Sequence, residues 1–456
     1  MKGGKNMIGN VRKPEIEEMI ANRDWRGLKS QISDWLPQDV ADLLDDLTTR
    51  DRVILFRLLS RDMATDVFEN LEAESQKDLL EAFSDAEAAP LLEEMSPDDR
   101  TELLEELPHR VTRRILRLLS PQQRKVAQRL LAYPGDSVGR LMTPDFVKVR
   151  KHWTCGQALQ HLRWIGINKE TIYYLYVVDD ENRIIGVVSL KNIVLAPQDS
   201  PLWELSEDEP IFVHADIDQE EAVRLLRRYD LQAIPVVDSL NHLLGIVTFD
   251  DLMDVQAEET TEDMQKMAAI VPTEKPYFET NFTEIFNKRV IWLIALGIAG
   301  IFSASIIRYY NTTLDIGIMV ILSSFIPLLM GTGGNAGSQM AALMIRSLAT
   351  GDVTPSDYLR LLGREILMGL ALGLALAVVG FVIAWILKGD PQVGLTLGLA
   401  MIATITAANF VGLSLPLLFK AIGLDPAFMS GPFLTTITDV VGLVIYFNIT
   451  RLIFRL

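Results

Sequence analysis

Cysteine is nearly absent from this sequence, and so is any apolar segment near its beginning. Cys155 is the only cysteine among 456 residues, so a disulfide framework is excluded and a reducing compartment is expected. Residues 1–10 contain Lys and Gly but no apolar core, and we expect no secretory signal there. Any membrane insertion must therefore be directed by later segments.

An excess of basic residues is also lacking. The chain carries a net charge of −17. From Arg289 onward there are nine basic and seven acidic residues, a net charge of +2, so the residues before Arg289 carry a net charge of −19. Such an acidic region repels the phosphates of nucleic acid and suits a cation partner, although acidic surfaces also serve solubility. We therefore expect no nucleic-acid partner.

Paired leucines recur through residues 15–133. Several intervals are twelve residues, which is about three helical turns plus a linker, and prolines punctuate them. Short helices of this kind cannot bury an apolar face alone, so they should stack into a helical superstructure. We assign residues 1–135 to an all-α acidic regulatory domain. The pairs are Leu43–Leu44, Leu58–Leu59, Leu79–Leu80, Leu91–Leu92, Leu103–Leu104, Leu118–Leu119 and Leu130–Leu131.

Residues 136–255 contain an internal duplication. The pattern from Val177 through Asp179, Asn182 and Gly186 to Val188 recurs 59 residues later, from Val236 to Val247. Each copy predicts a strand, a turn, a strand and a helix, with a further helix upstream. This repeated α/β unit resembles the tandem CBS module.

An acidic run follows the duplication, within a predicted connecting helix over residues 256–288 that Pro272 and Pro276 interrupt. Carboxylates at three- and four-residue spacing on one helix repel one another, and hard divalent cations prefer such oxygen ligands. The alternatives are a cation sensor and a solvated acidic linker. The run comprises Asp250, Asp251, Asp254, Glu258, Glu259, Glu262 and Asp263.

Residues 289–456 contain five long apolar stretches. Because a bilayer core needs about 20 apolar residues per helix, they predict an α-helical transmembrane domain of about five spans, with six also open. The second stretch is too long for one simple span and contains Pro327, so we expect a helix broken partway. The stretches are Val290–Ile307, Ile316–Ile345, Ile366–Leu387, Val393–Phe419 and Ala427–Thr450.

Asp439 lies near the middle of the last stretch. An ionised acid at that depth costs about 2.5–3.5 kcal/mol and normally faces a watery cavity or a partner. No basic residue lies at comparable depth in any span, so a cation is the natural partner. Helical spacing places Gly431, Thr435 and Asp439 on one stripe, which serves either as a pore lining or as a helix-packing face.

A glycine-rich run follows Pro327 and includes Gly331, Gly333, Gly334 and Asn335. We expect this run to break a helix at membrane depth, where freed carbonyls and amide side chains would supply neutral oxygen ligands. Mg²⁺ loses its water reluctantly and is held through one or two carboxylates plus waters. The alternative is a tight helix crossing.

The whole set of features resembles the MgtE-type magnesium channels, on account of the helical region, the tandem CBS modules, the acidic connector and the GTGGN and TTITD motifs of the pore. The resemblance implies a homodimer in the lipid bilayer whose pore binds hydrated Mg²⁺ at Asp439. It also implies that cytoplasmic Mg²⁺ binds acids that close the pore. The matching positions are Glu220, Asp230, Asp251, Asp254, Glu259, Glu262 and Asp263, with Asp98 and Asp99 in the helical region.

The resemblance further implies an adenine nucleotide such as ATP at the CBS pair. Thr248 and Asp251 match the ribose-side positions in the second copy, with Tyr174 and Leu231 nearby, whereas the first copy has Ser189 and Asn192. A dimerisation scaffold without a ligand is the alternative.

The sequence thus predicts a multidomain, multi-pass protein of the cell inner (cytoplasmic) membrane. Its domains are a helical regulatory domain (1–135), a tandem α/β CBS pair (136–255), a connecting helix (256–288) and a pore domain (289–456), with the acidic half in the cytoplasm. The expected function is a magnesium channel, and an ion-coupled secondary transporter is the alternative. All five histidines precede the pore domain and form no His-Glu-x-x-His motif, which argues against a zinc-dependent intramembrane protease; no enzyme is expected.

Overall fold

The computed structural model describes residues 14–16, 18–206, 209–273, 277, 280–314, 316–428 and 431–455. Residues 1–10 and Pro276 lie outside these ranges. The chain divides into two compact units, Met1–Gln256 and Ala257–Leu456.

Among the described residues, nine short helices lie between Trp25 and Leu130. From the second of these onward, each packs mainly on the second helix along the chain, and the paired leucines share one core except Leu130, which belongs to the core of the following region. Pro37, Pro97 and Pro121 occupy first helical positions, where the missing N–H costs nothing. The helices are α1 (Trp25–Ile32), α2 (Pro37–Asp45), α3 (Thr49–Phe56), α4 (Arg61–Glu69), α5 (Ala73–Ala82), α6 (Asp85–Glu94), α7 (Pro97–Glu106), α8 (His109–Leu118) and α9 (Pro121–Leu130).

Two three-stranded sheets follow, one per copy of the duplication. In each sheet the first strand pairs parallel with the second, and the second pairs antiparallel with the third. The first copy comprises α10 (Val138–Leu141), β1 (Lys148–Arg150), α11 (Cys155–Ile165), β2 (Tyr174–Val178), β3 (Ile184–Ser189) and α12 (Leu190–Leu195). The second comprises β4 (Val213–His214), α13 (Gln219–Tyr229), β5 (Ala233–Val237), β6 (Leu243–Thr248) and α14 (Phe249–Met267).

The duplication is also visible in the backbone geometry. Both copies carry a bulge at the same place, after Val177 and after Val236. Asn182 and Asn241 both have positive φ in the strand-joining turns, which asparagine tolerates better than most residues. The turns bond to one another: the N–H of Leu243 donates to the carbonyl of Asn182, and the N–H of Ile184 donates to that of Asn241.

The second unit consists of long apolar helices. Four are long and apolar enough to cross a membrane, and a fifth span results if α16 and α17, which meet at 47°, count as one. They are α15 (Phe282–Thr313), α16 (Ile316–Ser323), α17 (Ile326–Ala349), α18 (Tyr358–Lys388), α19 (Pro391–Ala421) and α20 (Gly431–Phe454). The expected broken span is therefore present.

The position of the break differs from the expectation. The helix is interrupted at Ser324 and Phe325, before Pro327, and the glycine run lies inside the continuous helix α17. The prediction that the glycines break the helix and free their carbonyls is wrong. Proline fits the first turn of α17 without losing a hydrogen bond, and Gly333 and Gly334 lie where side chains of neighbouring helices approach closely.

Candidate ion pathway and sensor sites

Asp439 is the ninth residue of α20, which packs against α15, α17 and α19. One oxygen of its carboxylate is buried, and it accepts no hydrogen bond from any residue that the structure describes. Burying a carboxylate oxygen without a donor is costly, particularly in a segment that crosses a membrane. That oxygen therefore has no donor among the described residues, and the expectation that a cation is the partner of Asp439 stays a prediction.

Two of the four predicted pore residues of α17 face this helix bundle. A Cβ atom on Gly333 would lie 2.9 Å from Thr404 Cγ2, and one on Gly334 would lie 2.8 Å from Thr435 Cγ2. Both distances are too short for any side chain, so these glycines permit close helix packing. Thr435 donates its hydroxyl hydrogen to the carbonyl of Gly431 at 2.7 Å.

Gly331 and Asn335 lie on a different face of α17. Both are exposed, and nothing lies within 4 Å of the Cβ position of Gly331. The structure therefore separates the glycine run into a packed face and an exposed polar face. An exposed amide in a membrane helix is unfavourable against lipid and favourable against water or another polar surface.

The sequence analysis missed Thr404 of α19. Its hydroxyl is buried without a hydrogen-bond partner among the described residues, and its methyl group lies against the Cβ positions of both Gly333 and Gly442. Thr404 thus occupies the junction of α17, α19 and α20. A lone threonine in an apolar stretch gives no signal, because its significance arises only from helix packing.

Acids from four separate segments approach one another in the first unit. We define the acidic cluster as Glu69, Asp98, Asp99, Glu170, Asp250 and Asp251, whose charges influence one another. It includes the predicted sensor residues Asp98, Asp99 and Asp251. Glu69 and Glu170 gave no sequence signal, because single acids on a helix end and in a loop are common.

Burial and mutual repulsion disfavour ionisation across the acidic cluster. Burial raises the pKa of Asp98 well above its usual range, and the carboxylates of Asp251 and Asp99 raise it further. Burial likewise raises the pKa of Glu69 and of Glu170 to about 7, and that of Asp251 to about 6. One oxygen of Asp98 is buried without a described partner. A cation would relieve these costs.

The carboxylates of the cluster are not arranged as a ready-made chelate. Across the described ranges, no group of three or more His, Cys, Asp or Glu side chains has the spacing to hold a metal ion. Mg²⁺ retains several waters and requires only one or two carboxylates, so the cluster suits a hydrated ion.

Two other predicted sensor residues lie far apart. Glu220 is in the first turn of α13, and Asp230 caps its last turn with φ of 51°. Ten residues of helix separate them by about 15 Å, so they cannot share one ion. Asp254 is exposed on α14.

The end of α14 is held by a lysine. Lys266 donates to Asp425 at 2.7 Å and pairs with Glu262 at 2.8 Å. Burial alone would lower the pKa of Lys266, but its bonds to the two carboxylates outweigh that effect and raise it. The predicted sensor residue Glu262 is thus engaged in an ion pair, whereas Glu259 and Asp263 lie half-buried on the same helix.

The predicted nucleotide residues lie around the end of β6. Thr248 and Asp251 bond to each other through the threonine hydroxyl. Tyr174 packs against a cluster containing Ala233, which is the β-pair partner of Thr248. Leu231 packs against a different cluster. In the first copy Ser189 caps α12 by accepting from the N–H of Asn192.

Apolar helices long enough to span a membrane, an Asp439 carboxylate oxygen without a partner among the described residues, and an acidic half with two similar sheets are together typical of a multi-pass cation transport protein. Family models agree: a divalent cation transporter model matches residues 326–449, an MgtE intracellular N domain model matches 35–136, and the CBS domain model matches 138–199 and 203–258.

Curated relatives extend over almost the whole chain. The magnesium transporter MgtE of Thermus thermophilus is 37% identical over 443 residues, covering 96% of this chain and 97% of the relative. That of Bacillus subtilis is 32% identical over 424 residues, covering 93% of each. The chain belongs to the MgtE family of magnesium transporters. It is accordingly a multi-pass membrane transporter whose N-terminal and CBS domains are cytoplasmic, and it is not an enzyme.

Solved structures of cytosolic or soluble regions match about half of this chain. The cytosolic domain of the Mg²⁺ channel MgtE in complex with ATP is 35% identical with a TM-score of 0.51, covering 53% of this chain and 99% of that one. The soluble part of a magnesium transporter is 32% identical with a TM-score of 0.51, covering 55% and 99%.

Proposed function

We propose that this magnesium transporter is a Mg²⁺-selective channel for magnesium uptake that closes when cytoplasmic Mg²⁺ binds its acidic residues. The observation that carries the proposal is the buried carboxylate oxygen of Asp439, which has no partner among the described residues. Insertion of such an acid costs about 2.5–3.5 kcal/mol, and a permeating hydrated cation offsets that cost while it occupies the site.

The proposed pore is formed by a homodimer. A single carboxylate per chain is a sparse ligand set, and two copies would place two carboxylates around one hydrated ion. The exposed face of α17, with Gly331 and Asn335, gives each copy a polar surface to turn toward the pore or toward its partner. Gly431, Thr435, Gly333 and Gly334 then position the helices that carry Asp439.

The proposed sensor is the acidic cluster, together with Glu220, Asp230, Asp254, Glu259, Glu262 and Asp263. Without Mg²⁺, the carboxylates of the acidic cluster repel one another. This repulsion weakens the association of the region of residues 1–135 with the CBS pair. Bound Mg²⁺ replaces repulsion with shared coordination and favours one arrangement over the other, as a ligand does in any two-state equilibrium.

The proposed gate is the connecting segment, residues 256–288. Lys266 ties the end of α14 to Asp425 in the segment between α19 and α20. The carbonyl of Met267 lies 3.8 Å from the Cβ position of Gly431, at the start of the helix that carries Asp439. A displacement of α14 therefore changes the contacts at the N-terminal end of α20.

The CBS pair is proposed to bind an adenine nucleotide through Thr248 and Asp251, with Tyr174 and Leu231 nearby. Thr248 is buried at the end of β6, and its hydroxyl is positioned by Asp251. The ATP complex of the related cytosolic domain supports this assignment.

Ion flux into liposomes tests the function. Asp439→Ala should reduce Mg²⁺ uptake at least tenfold, whereas Asp352→Ala, an exposed acid between α17 and α18, should leave it unchanged. Unitary current steps in planar bilayers should accompany the flux of the wild type. Retained uptake in Asp439→Ala would overturn the pore assignment, and uptake that requires an H⁺ or Na⁺ gradient without unitary steps would favour a coupled transporter.

A further inference from the structure

The acidic half contains one segment of opposite character. Between Glu106 and Asp136 there are seven Lys and Arg residues and no Asp or Glu. This segment forms α8 and α9. It concentrates positive charge in a region whose net charge is strongly negative, and neither the proposed pore nor the proposed sensor uses it.

Arginines of α8 share one face of the helix. Arg110, Arg113 and Arg117 recur at intervals of three and four residues, and Arg114 lies four residues after Arg110 and three before Arg117. Side chains at these spacings are neighbours on a helix, and like charges there are destabilising. The repulsion between such arginines is reduced either by acidic partners within the protein or by a bound anion.

Among the residues that the structure describes, partners are found for Arg114 but not for the other three arginines. Arg114 donates to Asp85 at 2.8 Å and to the carbonyls of Leu80 and Phe83, so it holds α8 to the neighbouring helices. Arg110, Arg113 and Arg117 are exposed. No residue that the structure describes forms an ion pair with them or accepts a hydrogen bond from their side chains.

The free guanidinium groups border an open cleft of about 530 Å³, which His109, Arg110, Arg113, Arg114 and Arg117 line. That volume lies within the range of small-molecule sites. Arginine binds phosphate through two parallel N–H bonds, which makes it the preferred residue for phosphate recognition. We propose that this cleft binds a soluble anion that carries several phosphate groups, recognised through those phosphates.

The lining favours a polyphosphate over a nucleobase or a membrane. Four of the five described lining residues are arginines, and His109 is the one lining residue with a ring on which a base could stack. A helix that binds a membrane surface presents apolar residues to the lipid, but Ile115 of α8 is buried and Val111, Leu116 and Leu118 pack against the domain core. The charge of α8 is therefore available while its apolar face is already occupied.

The test uses the full-length protein in detergent, free of divalent cations, with inorganic tripolyphosphate as the probe in titration calorimetry. The Arg110→Gln/Arg113→Gln/Arg117→Gln variant should bind at least tenfold more weakly than the wild type. The matched control, Lys125→Gln/Arg129→Gln/Lys151→Gln, removes the same charge from exposed positions elsewhere and should bind like the wild type. Arg114 is left intact because it holds the fold.

A second variant separates recognition from folding and from bulk charge. Arg110→Lys/Arg113→Lys/Arg117→Lys keeps the charge but loses the two-pronged geometry, and we expect an affinity between those of the wild type and the glutamine variant. Equal affinities in all four proteins would overturn the proposal, and so would an equal loss in the control. Binding to vesicles containing anionic phospholipid, without binding of tripolyphosphate, would assign the cleft to a membrane surface instead.

Discussion

Asp98 and Asp439 each bury a carboxylate oxygen that has no hydrogen-bond partner among the described residues, yet their surroundings differ. Asp98 lies among other acids, and its pKa is raised partly by Asp251 and Asp99. Asp439 lies on an apolar helix, and no described basic side chain is paired with it. The same local feature, a buried carboxylate oxygen without a described partner, thus belongs to the proposed sensor at Asp98 and to the proposed pore at Asp439.

In the proposed function, the two sites differ in how long each should hold a bound cation. Several carboxylates that repel one another gain when an ion bridges them, so the ion stabilises one arrangement of the protein. A single carboxylate in a narrow apolar bundle attracts a hydrated ion without enclosing it, and conduction requires binding that is weak enough to be reversed. The following changes test that distinction.

Neutralising the acidic cluster should have the largest effect on regulation. In Asp98→Asn/Asp99→Asn, both the repulsion and the ligands are lost, so the ratio of Mg²⁺ flux at low and high internal Mg²⁺ should fall about tenfold, equivalent to about 1.4 kcal/mol of coupling. Flux at low Mg²⁺ should persist. The ratio is measured in proteoliposomes, with Asp34→Asn as an exposed control, and an unchanged ratio would remove the cluster from the sensor.

Neutralising the half-buried acids of α14 should have a similar but smaller effect. Glu259→Gln/Asp263→Asn should leave channels open at internal Mg²⁺ that closes the wild type, shifting half-inhibition by about fivefold, or roughly 1 kcal/mol. Patch recordings at graded internal Mg²⁺ provide the measurement. Wild-type inhibition in this double variant would restrict sensing to the acidic cluster.

Breaking the tie between α14 and the pore helices should shift gating by a few-fold. Lys266→Gln removes the ion pairs to Asp425 and Glu262, which are partly exposed and therefore worth about 1 kcal/mol together. Open probability at high internal Mg²⁺ should rise about threefold to fivefold. The neighbouring exposed Met264→Gln serves as a control, and a fall in open probability would contradict the proposed gate.

The smallest effect is expected at the CBS pair. Thr248→Val removes the hydroxyl that bonds Asp251, so ATP should bind about twofold to threefold more weakly, which is the lower end of the effect of losing one hydrogen bond. Ser189→Ala makes the corresponding change in the first copy and should matter less. If Thr248→Val binds ATP as tightly as the wild type and Ser189→Ala do, the nucleotide assignment at β6 is wrong.

Much of the architecture was predictable from local patterns. Leucine pairs, the duplicated Val-Val-Asp motif and the apolar stretches correctly indicated a helical region, paired CBS modules and about five spans. Asp439 was also predictable, because an acid within an apolar stretch is costly wherever the helix packs. The glycine run misled, since glycine permits both a broken helix and a tight crossing, and only the approach of Thr404 and Thr435 distinguishes them.

The sequence by itself determined which segments are helices, strands and spans, because hydrophobic periodicity and turn residues act over a few neighbouring positions. Only the tertiary structure decided what meets in space: Glu69 with Asp99, Glu170 with Asp251, and Lys266 with Asp425, which lies 159 residues further along the chain. Such encounters depend on how whole elements pack, and no local pattern encodes them. The same packing left Arg110, Arg113 and Arg117 of α8, which have no ion-pair partner among the described residues, around one cleft.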